Sequence, residues 1–155
     1  MHNFRNLQIW KDAMSLAQEV YEIAENIPKK ETYGLISQMT RAAVSVPSNI
    51  AEGSGRTNKD FAHFLSIALG SLFELNTQIM LAERIGYIDN SQSEDLQSKA
   101  ERLQMMISGF KNRIEEEKDW QSKDRGIAAD RTKTDYAIVY QSVSEAVCQC
   151  NGLSV

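Results

Sequence analysis

The stretch from Phe61 to Ala82 sets Phe61, Leu65, Ala68, Leu72, Leu75, Ile79 and Ala82 at steps of 4, 3, 4, 3, 4 and 3. A heptad seam sustained this long belongs to a helix that packs lengthwise against other helices. Thr57 with Asp60 three residues on resembles a capping box at its start, and Gly86 supplies a C-terminal cap. A second seam follows, with Leu96, Ala100, Leu103, Ile107, Phe110 and Ile114 stepping by 4, 3, 4, 3 and 4 after Ser91 and Glu94 at its start.

Two earlier segments complete the set. Ile9, Ala13, Leu16, Ala17, Val20, Ala24 and Ile27 trace an amphipathic helix ended by Pro28. Leu35, Met39, Ala42, Ala43 and Val46 trace another that reaches Pro47. No segment shows strand alternation bounded by turns. Four helices joined by short polar links predict an all-α fold, an antiparallel up-and-down four-helix bundle.

The periodicity stops near Lys118. Residues 1–118 are therefore read as the bundle and 119–155 as a C-terminal extension, expected to be mobile or weakly docked. A chain of 155 residues suits one such domain. Its net charge of −4 and pI near 5.2 argue against a generic polyanion binder and leave room for a local basic patch. The opening lacks a signal-peptide pattern and no run of about 18 uninterrupted apolar residues occurs, so a cytoplasmic location without a membrane partner is expected. Cys148 and Cys150 supply at most two of the four ligands of a structural zinc and read as incidental thiols in a reducing compartment.

The helices carry more apolar surface than one seam each. Leu69, Phe73 and Met80 cluster roughly 80° to 120° from the seam of the third segment. In the first, Trp10, Met14, Ala17 and Tyr21 form a second stripe at steps of 4, 3 and 4. Such stripes either widen the core contact or form subunit interfaces, where Trp, Phe, Tyr and Met are typical anchors.

"AAVSVPSNIAEGSGR" punctuates the second segment. Pro47 lacks an N–H and clashes with the Ala43 carbonyl, so a kink or a restart is expected, with Asn49 and Glu52 as a new N-cap pair and Gly53 and Gly55 releasing the chain. With helical phase kept, Arg41, Ser45, Ser48 and Glu52 line one side, with Gln38 and Asn49 beside them. Small uncharged polar groups around one arginine and one glutamate suggest a partly buried hydrogen-bond network or a binding surface. Beyond it, "GSGRTNKD" sets Arg56 and Lys59 near a helix N-terminus that can hold an anion. Asp60 in the same turn and the missing G-K-[ST] ending count against a phosphate loop.

"YGLISQMTRAAVSVPSNIAEGSGR", followed by "FAHFLSIALGSLFELNTQ" and "AERIGYI", resembles the four-helix-bundle family of 23S rRNA-intervening-sequence proteins, once labelled S23 ribosomal proteins. The resemblance runs from about Phe4 to about Lys118. It implies a homopentamer of up-and-down bundles and a distant kinship of fold with retroelement accessory proteins that bind nucleic acid and a reverse transcriptase. It implies no catalytic activity. Members often carry two basic residues before "AA", where this chain has Thr40 and Arg41, and an aromatic between the two glycines, where it has Ser54. Both departures remove groups useful for holding nucleic acid.

Catalytic patterns find little support. A di-iron bundle calls for two Glu-x-x-His pairs, whereas Asp60 and His63 form the nearest match, once, off the seam, with His2 the other histidine. Ser54 lacks the spacing of a nucleophile elbow. Glu115, Glu116 and Glu117 read as a solvated helix end, and Met105 and Met106 as packing residues. The expectation is a non-catalytic homo-oligomer without metal or cofactor, pentameric by the resemblance. The alternative is an RNA- or nucleoprotein-binding module using Arg41, Arg56 and Lys59, with Lys29 and Lys30.

Overall fold

The computed structural model describes residues 3–124, with side chains through residue 116. Four helices, α1 (Gln8–Ala24), α2 (Leu35–Ser54), α3 (Asn58–Arg84) and α4 (Asn90–Asp124), follow one another with short 3-10 turns at Phe4–Asn6 and Lys29–Glu31. No strand occurs among the described residues, and the bundle is the one the periodicity calls for. The α4 helix continues past residue 118 to Asp124, and the rest of the expected extension lies outside the described residues.

The seams form the core. Every residue of the α3 seam, from Phe61 to Ala82, is fully buried, as are Leu96, Ala100 and Ile107 of α4. Ile9, Ala13, Leu16, Ala17 and Val20 of α1 and Met39, Ala42, Ala43, Val46 and Ile50 of α2 close the same cluster. By length and composition alone α3 could cross a bilayer; its seam packs into this core, and His63 and Glu74 lie on its exposed side.

Side-chain links fix which helices are neighbours. Ser71 on α3 donates to Ser45 on α2 at 2.8 Å, and Ser93 on α4 donates to Glu83 on α3 at 2.6 Å. Lys99 on α4 bridges to Glu19 on α1 at 2.6 Å while also holding Asp95 at 2.7 Å. Together with the packing of α1 on α2, these links set the order α1, α2, α3, α4 around the bundle.

The helix ends follow local chemistry, with three departures from expectation. Thr57 caps α3 by accepting the Asp60 N–H at 3.2 Å, and its hydroxyl donates to the Asp60 carboxylate at 2.6 Å. At the far end Gly86 takes φ +76°, and Tyr87 N–H reaches back to the Ala82 carbonyl at 2.9 Å, closing the helix in a Schellman turn. The first departure is at α4, where the cap pair is Asp89 and Gln92 rather than Ser91 and Glu94. Gln92 N–H donates to Asp89 Oδ1 at 2.8 Å, and Asp89 N–H donates to Gln92 Oε1 at 3.1 Å. The second is at α1, which stops at Ala24, where the chain tightens into a turn: Asn26 N–H donates to the Ile23 carbonyl at 3.0 Å and Ile27 N–H to the Ala24 carbonyl at 3.2 Å. Ile27 still reaches the core from the turn.

The third departure concerns Pro47. The α2 helix neither ends nor restarts there but runs on to Ser54 with Pro47 buried inside it. Val46, Ile50 and Gly53 keep the buried stripe in phase past the proline, and that packing outweighs the roughly 3 kcal/mol an internal proline costs.

The α1–α4 bridge yields a pH prediction. Hydrogen bonds to Asp95 and Glu19 raise the pKa of Lys99 above its ordinary 10.5. A raised lysine stabilises the fold fully below that ordinary value and loses the contribution as pH climbs through the raised one. The difference in melting temperature between the native chain and Lys99→Gln should be small near pH 7, since the pair is largely exposed, and vanish at still more alkaline pH. Thermal melts from neutral to strongly alkaline pH check this.

Candidate functional site: the outer faces of the second helix

Along α2 the expected polar residues divide into separate groups. Asn49 is not a cap; it sits mid-helix, and its amide donates to the Ser45 carbonyl at 2.7 Å and to Ser45 Oγ at 3.0 Å. Ser71 joins them from α3, making a three-residue polar link between the two helices. Ser48 turns back on its own helix and donates to the Val44 carbonyl at 2.8 Å. These bonds account for the small polar residues: they satisfy backbone and one another where charged side chains would need water.

The charged members stand apart. Glu52 and Arg56 form an ion pair at 2.6 Å, and the Arg56 guanidinium lies 5.1 Å from the centre of the Phe64 ring. Gln38 and Arg41 are exposed, and Arg41 has no ion pair among the described residues. About 20 Å of helix rise separates Arg41 from the end of α2, where Arg56 and Lys59 lie. Those three cations therefore cannot close on one phosphate. At the α3 N-terminus Asp60 already occupies the first turn, and Arg56 is already paired. Among the described residues no three His, Cys, Asp or Glu side chains gather as a metal-holding group.

Toward α1 the same helix presents a different surface. An open groove of about 510 Å³ lies between α1 and α2, lined by Phe4, Trp10, Met14, Tyr21, Val44 and Pro47 among others, with no Asp, Glu, Lys or Arg in its wall. Phe4 packs edge-on against Trp10 in the groove wall, ring centres 5.1 Å apart. Of the second stripe of α1, Ala17 is core and Trp10 packs partly against it, whereas Met14 and Tyr21 stay 46% and 51% exposed. The α3 stripe divides likewise: Leu69 leans on the core, while Phe73 and Met80 are 58% and 40% exposed.

The α2 wall of the groove is the part sequence reasoning missed. Val44, Pro47 and Ala51 recur at steps of 3 and 4, a helical stripe matching that of α1 that the kink or restart expected at Pro47 hides.

The description "23S rRNA-intervening sequence protein" belongs to a family model that matches residues 5–109. Among solved structures, a protein of unknown function from the S23 ribosomal protein family of Bacteroides thetaiotaomicron VPI-5482 shares the fold, with a TM-score of 0.61 at 20% identity, over 66% of this chain and 96% of that one. Curated proteins yield no match. With the four helices in place and the match extending over most of the bundle, the chain belongs to the family of 23S rRNA-intervening sequence proteins.

Proposed function

We propose that this chain is a non-catalytic, cytoplasmic helical bundle that assembles with copies of itself as a scaffold, five copies being the number the family resemblance implies. The observation that carries this reading is the uncharged α1–α2 groove with Met14 and Tyr21 half open to solvent. Large aromatic and thioether side chains left in contact with water are a liability on a monomer and are the usual anchors of an interface. The polar residues of α2 support the non-catalytic part, since Ser45, Ser48 and Asn49 are bonded to backbone and to Ser71 rather than set beside a histidine.

Light scattering on the full chain tests the reading. Trp10→Ala and Phe73→Ala should each lower the assembled mass while circular dichroism still reports a helical fold. Unchanged mass in both would count against it.

One observation favours a second reading. Arg41 is exposed and unpaired among the described residues, and Lys59, Lys29 and Lys30 are exposed as well, so a nucleic-acid backbone could meet them at several points. Retention on RNA that falls steeply with salt and weakens in Arg41→Glu would favour a nucleoprotein role over a purely structural one.

A further inference from the structure

We infer that residues 28–34, the link between α1 and α2, form a strap latched to the α3–α4 turn at Tyr87, one that opens as a unit while the rest of the bundle stays closed. Within the strap only Glu31 is not exposed. Ile27 before it is buried and Leu35 after it packs against the core, but between those anchors no apolar side chain is buried, and Tyr33 is 96% exposed. A segment with so little buried apolar area belongs to the low-stability end of a fold, and specific contacts decide whether it stays down.

Those contacts converge on one ring. Tyr87 Oη donates to Glu31 Oε1 at 3.1 Å, and the Lys30 ammonium lies 5.7 Å from the centre of the same ring. A hydroxyl that donates to a carboxylate enriches its ring in electron density, so the anion at the edge favours the cation over the face. Tyr87 is itself fixed. Its N–H closes α3 on the Ala82 carbonyl, its side chain packs against the core, and Ile88 beside it is buried. The turn on which it stands is tied to α4 by Ser93 with Glu83 and by the Asp89–Gln92 cap. The α3–α4 turn is thus the post, and the strap is the moving part.

The second oxygen of Glu31 carries the latch into α2. Gly34, the cap residue of that helix, has no side chain to offer, and Glu31 Oε2 accepts the Leu35 N–H at 3.3 Å in its place. A Cβ on Gly34 would lie 2.6 Å from that oxygen, so the glycine is what gives the carboxylate room over the first turn. One carboxylate therefore joins the strap, the start of α2 and a residue 56 positions along the chain. The backbone bonds of the strap are local turns, from the Glu31, Thr32 and Gly34 N–H groups to the Pro28, Lys29 and Glu31 carbonyls. Local turns in an exposed segment fray once the tie across the fold is gone.

Hydrogen exchange on the full chain tests the latch, read by mass spectrometry on the native protein, Tyr87→Phe, Glu31→Ala and the double variant. Tyr87→Phe alters nothing within the strap, yet it should speed exchange of the amides of residues 31–35 by about tenfold, through the loss of one hydrogen bond to a charged group. Glu31→Ala should speed it at least as much, and the double variant no further than Glu31→Ala, since the two side chains act through one contact. Amides of the α3 seam from Leu65 to Ile79 should keep their native rates. Unchanged strap rates in Tyr87→Phe, equal acceleration of strap and seam, or full additivity in the double variant would each overturn the latch. Loss of the helical signal in either single variant would overturn it too, because the contact would then carry the whole fold rather than a strap.

Discussion

Phe61→Ala should lower the unfolding free energy by about 3–5 kcal/mol, read as a shift in the urea midpoint with little change in slope. Phe61 opens the α3 seam fully buried, and its ring meets Phe110 of α4 edge-on at 5.6 Å. It also lies against the end of α2, where Gly53 is its close neighbour. One side chain thus joins three helices at the end of the bundle where α2 turns into α3. Truncation leaves a cavity that none of the three can close alone, and a loss of that size is a large share of the roughly 5–15 kcal/mol that holds a domain together. Phe61→Leu, which keeps most of the volume, should cost much less. A loss below about 1 kcal/mol for the alanine variant would mean that this corner is not packed as described.

Gly53→Ala should destabilise the chain by about 1–3 kcal/mol, although alanine is the better helix former by about 1 kcal/mol. A Cβ at this position would sit 2.6 Å from Phe61 Cδ2 and 2.7 Å from Phe64 Cβ. The second of these is attached to the α3 backbone and cannot swing aside, so the helices themselves would have to part. Gly70 is the internal control, since a Cβ there meets nothing within 4 Å. Gly70→Ala should stabilise by up to about 1 kcal/mol through helix propensity alone. Opposite signs for the two glycines, measured in the same denaturation series, would show that the close approach of α2 to α3 depends on Gly53. A matching gain at both would contradict it.

The glycine pair illustrates what the sequence could and could not disclose. The seams of α3 and α4 were legible because every fourth or third position carries the same kind of residue, and that regularity is a direct image of the buried face. The Thr57 cap and the Gly86 turn were legible because few residue types do those jobs. Gly53 reads as a release into a turn, whereas it lies inside α2 and lets α3 come close, because a missing Cβ serves both purposes and sequence does not show the neighbour. Pro47 misled for a related reason. Its local cost is fixed by chemistry, but the packing that overrides it comes from Val46, Ile50 and the helices they touch. The α4 cap went to Asp89 and Gln92 because Ser91 and Glu94 offer the same residue types two positions on, and local spacing does not choose between them.

The polar face was legible as a set and not as an arrangement. Arg41, Ser45, Ser48, Asn49, Glu52 and Arg56 share a helix, but Ser71, which joins Ser45 and Asn49, comes from 26 residues further on. The α1–α2 groove needed two stripes from different segments, one of them running through the proline. Periodicity within a single segment reports each wall and leaves their meeting to the fold.

The central claim is that the α1–α2 groove and the exposed α3 stripe are covered by copies of the same chain, and the solution mass of the full chain tests it most directly. Light scattering across a dilution series should return a closed assembly of discrete mass, about five times the 17.5 kDa of one chain if the family resemblance carries over. A mass of one chain at every concentration would contradict the account, and would leave Met14, Tyr21 and Phe73 open to water without a partner of the same kind.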